Sequence, residues 1–150
     1  MNRQLINSSN GEFTISDHFV ISNRTRLSEL LNYFGEDKLK KSPYLNTETY
    51  FLPQIEIGGL YFRFGFYFDG NTLKKVSFEI EVEPIKREPW SNNRDFETAW
   101  IAQQMNDTSH FKWDMEIAGR HYHLAYDWGN IGVYYDFKNG TFESVLYYNL

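Results

Sequence analysis

Leu60-Tyr61-Phe62-Arg63-Phe64-Gly65-Phe66-Tyr67-Phe68 is the stretch that decides the fold. Its period is two: Leu60, Phe62, Phe64, Phe66 and Phe68 share one parity, and Tyr61, Arg63, Gly65 and Tyr67 share the other. Successive side chains of an extended chain point to opposite faces, so the alternation predicts a strand with one buried side. Asp69-Gly70-Asn71 follows, and Gly and Asn accept the backbone that a tight hairpin needs. The returning segment alternates Val76, Phe78, Ile80 and Val82 with Ser77, Glu79, Glu81 and Glu83. A hairpin results, with one apolar face and one polar face that is acidic on its second strand.

Upstream, Tyr50–Ile57 reads as a third strand joined to the hairpin through Gly58-Gly59. Pro53 has no N–H to donate and suits a sheet edge. Glu12–Ile21 reads as a single strand with Phe13, Ile15, Phe19 and Ile21 as its apolar positions. A helix follows, because Leu27, Leu30, Leu31 and Phe34 recur at helical spacing, Asn23 or Thr25 can cap it, and Gly35 suits its end. The first ten residues are polar and predict a loose terminus, and the polar connection 36–48 predicts an exposed one.

Downstream, Asp95 can cap a second helix over Phe96–Met105, with Trp100, Ile101 and Met105 as its buried stripe. The last forty residues read as a meander: 113–117, Tyr122–Trp128, Ile131–Tyr135 and Phe142–Tyr148, with turns at Gly119-Arg120, Gly129-Asn130 and Asn139-Gly140. A short helix ending at Gly119 is the alternative for 111–118. Tight turns make antiparallel neighbours. The expected class is α+β: one domain over residues 1–150, a mostly antiparallel sheet of six or seven strands, and two helices on one face.

Composition narrows function. The 150 residues include 28 aromatics (13 Phe, 11 Tyr, 4 Trp), which excludes a disordered chain and favours sheet. There is no cysteine, so disulfides, thiolate metal sites and a cysteine nucleophile are excluded. The net charge of −5 argues against nucleic-acid binding, which neutralises phosphates with Lys and Arg, and suits a basic partner. No apolar run approaches the roughly 20 residues that span a bilayer, and residues 1–10 lack the apolar stretch of a secretory signal. A cytoplasmic protein is expected.

Motifs for chemistry are sparse. No phosphate-binding glycine loop, nucleophile elbow or zincin helix occurs. His121 and His123 stand two apart with Asp127 in the same parity, a spacing that could hold zinc, but a polar strand face is the simpler account. The carboxylates of Glu79, Glu81 and Glu83 alternate with core residues, which places them in water at ordinary pKa rather than in an acid–base pair. His18, His110, His121 and His123 have no hydroxyl tied to them by pattern. Tyr61, Tyr67, Trp90, Trp128, Tyr134 and Tyr147 could stack on a sugar or base, or anchor a protein contact. Neither a catalytic residue, a metal site nor a cofactor is expected.

Tyr126-Asp127-Trp128-Gly129-Asn130-Ile131-Gly132-Val133-Tyr134-Tyr135-Asp136-Phe137-Lys138-Asn139-Gly140, followed by Leu146-Tyr147-Tyr148, resembles the ending of small bacterial immunity proteins. These are the antidotes of polymorphic toxin and contact-dependent growth inhibition systems. Thr25–Leu31 resembles their first helix, and Phe68–Val76 their central hairpin. The resemblance implies an intracellular, non-catalytic protein that binds and blocks one toxin, often a nuclease. Two contact surfaces follow as expectations: Glu79, Glu81 and Glu83 rimmed by Tyr61 and Tyr67, and the final meander with Asp127, Tyr134 and Asp136. A basic toxin domain is the expected partner, and an unpaired sheet edge offers a route to a homodimer. A small β-rich carbohydrate- or ligand-binding module is the alternative.

Overall fold

The computed structural model describes residues 3–43, 48–84, 94–107, 120–136 and 140–149. In chain order the elements are β1 (Phe13–Ser16), β2 (Phe19–Ile21), α1 (Leu27–Phe34), β3 (Lys40–Lys41), β4 (Glu48–Ile57), β5 (Leu60–Asp69), β6 (Thr72–Glu81), α2 (Arg94–Gln104), β7 (Arg120–Tyr126), β8 (Gly129–Asp136) and β9 (Thr141–Tyr148). Seven strands form one antiparallel sheet in the order β3-β4-β5-β6-β9-β8-β7, while β1 and β2 form a separate hairpin. The expected α+β class is the observed one.

The phenylalanine alternation of β5 builds the core. Register sets Phe62 opposite Ile80, Phe64 opposite Phe78 and Phe66 opposite Val76. All six are buried. Both helices and the β1–β2 hairpin cover this face. Trp100 of α2 lies 5.5 Å from Phe62 and 5.9 Å from Phe78 between ring centroids, and Phe34 of α1 lies 6.2 Å from Phe66. Phe13 is the hub, edge-on to Phe62, Phe64 and Phe78 at 5.5–6.0 Å. Such edge-to-face pairs each add about 0.5–1.5 kcal/mol beyond the area they bury.

Several expectations need correction. Glu12–Ile21 is a hairpin, turning at Asp17-His18 with Phe13 opposite Ile21. The shared parity of its apolar residues fits both readings, because a tight turn brings them back to the same face. The first helix is capped one residue later, at Arg26, whose N–H donates to Glu29 Oε1 at 3.0 Å. Thr25 is buried instead, its Oγ1 accepting from the Ser22 N–H. Within 36–48, Leu39 is buried and Lys40-Lys41 pair with β4. Pro53 falls at a break in the β4–β5 register and beyond the reach of β3. Val82 lies past the end of β6 and is exposed. The β7–β8 turn is Asp127-Trp128, two residues early. Gly129 belongs to β8, where a side chain would overlap the Tyr147 carbonyl of β9. Trp90, the segment 111–119 with both its readings, and Asn139 lie outside the described residues.

Residues 3–11 are held rather than loose. Leu5 and Ile6 are buried. Gln104 Oε1 accepts from their N–H groups at 2.6 and 3.1 Å, and Gln104 Nε2 donates to the Arg3 carbonyl at 2.8 Å. Further along, Trp128 Nε1 donates to the Ser8 carbonyl and the Tyr148 hydroxyl donates to the Gly11 carbonyl, both at 2.8 Å. Gly11 has φ +75°, and any side chain there would overlap the Trp128 indole. The Trp-Gly and terminal Tyr of the family-like ending therefore clasp the N-terminal segment.

Candidate functional site: the open face of the sheet

The face opposite the helices carries the alternate residues of the same strands. Arg63 pairs with Glu79 at 2.8 Å, directly across from β5 to β6. Lys75 lies 3.6 Å from Glu143, with its ammonium 4.3 Å from the centroid of the Tyr67 ring and 5.6 Å from that of Tyr147. Tyr147 meets Tyr134 edge-on at 6.0 Å, and the Tyr134 hydroxyl lies 2.7 Å from His123 Nδ1. A connected layer thus runs from β5 to β7.

Its floor is made of small residues. Gly65, Ser77, Val145 and Gly132 stand in one cross-strand row and are buried. A Cβ on Gly65 would sit 2.6 Å from Ser77 Oγ and 3.1 Å from the Phe51 ring, so glycine is what lets that ring lie across the strand. Here a cleft of about 660 Å³ opens. Phe51 and Tyr67 wall it, Gly65 and Ser77 floor it, and Arg63, Glu79 and Glu143 edge it, with Asp37, Lys38 and Lys40 on the outer lip. Phe51 is an apolar ring left 41% exposed.

Electrostatics separate this layer from a solvated surface. Burial pushes the Glu79 and Glu143 carboxyls above the usual carboxylate range, against the pull of Arg63 and Lys75. Neighbouring acids add to the rise: Glu81 acts on Glu79, and Asp136 and Glu79 act on Glu143. Burial works against the charge of Lys75, but Glu143, Tyr147 and Tyr67 outweigh it and hold its pKa above the ordinary value. Beneath, on the helix face, Glu97 of α2 is buried and accepts from Ser144; burial raises its pKa to about 8.

The two expected surfaces are partly one. Tyr67, Glu79 and Tyr134 belong to a single layer because β6 pairs with β9, which pairs with β8. Asp136, at the end of β8, shares the parity of Tyr134. Tyr61 stands in register between Glu56 and Glu81 nearer the other end. The solvated acidic row does not form: Glu79 is ion-paired, Glu81 is buried, and Glu83 is exposed beyond β6. Asp127 is exposed in the β7–β8 turn. Lys75 and Glu143 were not singled out from the sequence. Lys75 sits in the strand before its alternation becomes clear, and only the long-range β6–β9 pairing brings Glu143 to it.

The histidine pair separates. A register break between Arg120 and Tyr122 interrupts the alternation. His121 is buried against Phe142 at 5.7 Å, while His123 reaches Tyr134 on the open face. Burial lowers the pKa of His121, with Arg94 adding to the effect. Among the described residues, no group of three or more His, Asp or Glu is placed to hold a metal ion, and no helix is long and apolar enough to cross a membrane.

No protein-family model matches the chain, and no curated protein matches it. Among solved structures, a chain of the complex described as "Rhs1-CT in complex with cognate immunity protein RhsI1" shares the fold. The TM-score is 0.57 over 96% of this chain and 86% of that chain, at 14% identity. That likeness is one of fold.

Proposed function

We propose that this chain is an immunity protein that binds a cognate bacterial toxin domain, with a nuclease as the expected toxin class, and neutralises it by direct contact without catalysing a reaction. The observation that carries the reading is the shared fold, over nearly the whole chain, with a component of a toxin–immunity complex. The resemblance of the 126–148 ending to immunity proteins points the same way. The net charge of −5 suits a basic toxin domain, and the open face supplies tyrosines within a polar rim, the composition of interface hot spots. Work in the cytoplasm follows from that role, where the toxin would act. Co-expression with the protein encoded immediately upstream of this chain tests it. The two proteins should co-purify and growth should be rescued; a toxin that kills equally with and without the chain would end the proposal.

The cleft favours a second reading, since its volume lies within the range of small-ligand sites. A thermal-shift screen with mono- and disaccharides separates the two: a ligand module is stabilised by one of them, and an immunity protein is not. A homodimer through a sheet edge would show as a concentration-dependent mass in light scattering.

A further inference from the structure

The row of small residues on the open face, Gly65, Ser77, Val145 and Gly132, is not open along its whole length. Register sets Lys75 opposite Tyr147 on one side of the row, and Phe78 opposite Ser144, which puts Glu79 and Glu143 on the other side. The Lys75–Glu143 contact at 3.6 Å therefore reaches across the middle of the row, and Val145 beneath it is buried. The cleft is the part left open: a slot over Gly65 and Ser77, closed at its inner end by that ion pair.

The charges around the slot are met among themselves. Arg63 holds Glu79 and Lys75 holds Glu143. Among the described residues that line the slot, Lys38, Lys40 and Arg63 balance Asp37, Glu79 and Glu143. A charged occupant would gain no unmatched partner and would lose its own hydration. A sugar is held by polar groups aimed at it, and the charged pairs here are turned towards each other. The unmet surface is apolar. Phe51 lies across Gly65 with its ring part exposed, Tyr67 adds a second ring, and the glycine and serine floor leaves depth between them and the ion pair. An aliphatic side chain would cover this surface, but a flat ring would also stack on Phe51. Aromatic anchors set in a pocket with a polar rim carry much of the energy of protein interfaces. Resting on the immunity reading, we propose that the slot seats one uncharged aromatic side chain of the toxin domain, its ring against Phe51 and over Gly65 and Ser77.

The test uses the protein encoded immediately upstream of this chain, with affinity measured by calorimetry at low and high salt. Phe51→Ala removes the stacking wall and Ser77→Leu fills the floor. Each should weaken binding about tenfold or more, with melting temperatures reporting on folding. Phe51→Tyr keeps the ring and should bind within about threefold of wild type. The Phe51→Ala loss should be the same at both salt concentrations, because no ionic contact goes with it. Alanine in place of one toxin Phe, Tyr or Trp should reproduce that loss and add little on top of Phe51→Ala. Binding by Phe51→Ala within about twofold of wild type overturns the aromatic seat. So does a loss that fades at high salt, which assigns a charged occupant, or a saccharide that stabilises wild type but not Ser77→Leu, which assigns a free ligand. A wild-type chain that neither binds nor rescues overturns the immunity reading itself, and the seat with it.

Discussion

The helix-covered and open faces of β5 and β6 are made from alternate residues of the same two strands, yet they are held by different forces. On the covered side Phe62, Phe64, Phe66, Phe78 and Ile80 are almost wholly buried, and Phe13 and Trp100 both meet Phe62 and Phe78 edge-on. On the open side Arg63, Glu79 and Lys75 are only partly covered, and each is matched to a neighbour of opposite charge. The first face is governed by area, where any apolar residue of the right size serves. The second is governed by which charge stands across the strand, a property no periodicity records.

Breaking the covered face should have the largest effect. Phe64→Ala should cost about 3–5 kcal/mol in urea unfolding, whereas Phe51→Ala on the open face should cost under about 1 kcal/mol. Equal losses would erase the distinction between the faces.

Glu97 sharpens the comparison, being a carboxyl on the covered side. Its folded pKa of about 8 lies above the ordinary 4.5 because burial favours the protonated form. Its contribution is therefore fully present below the ordinary carboxylate pKa and is lost as pH rises towards about 8. His121, whose pKa is lowered by burial, acts oppositely and loses its contribution as pH falls. Glu97→Gln should abolish the alkaline decline, leaving the variant more stable than wild type near pH 8 by on the order of 3 kcal/mol. Parallel pH profiles for the two proteins would contradict a protonated Glu97.

Smaller effects follow. Gln104→Ala leaves two N-terminal N–H groups without their acceptor and should cost about 2–3 kcal/mol, with hydrogen exchange accelerating first at Leu5 and Ile6. Arg63→Ala should cost about 1 kcal/mol or less, since its pair with Glu79 remains partly open to solvent.

The covered face was legible from sequence because Phe62, Phe64, Phe66 and Phe78 alternate without interruption and Gly70 turns the chain. The N-terminal hairpin was not, because Asp17-His18 carries no glycine and its flanking apolar residues keep one parity. Leu5 and Ile6 were hidden among polar neighbours, and Gln104, which holds them, lies about 100 residues away. At the site, Tyr67 and Glu79 read as one surface and Tyr134 as part of another; only the β6–β9 and β9–β8 pairings join them. His121 and His123 were placed together by a strict alternation that the register break overrides.

The most direct measurement compares affinity for the co-encoded toxin domain after two pairs of substitutions. Tyr67→Ala with Tyr134→Ala strips aromatic area from the open face; Asn32→Ala with Glu36→Ala alters exposed positions on and just after α1. The expected result is a loss of about 100-fold for the tyrosine pair and under about twofold for the helix pair. The reverse order would place the contact on the helix side and contradict the assignment of the open face.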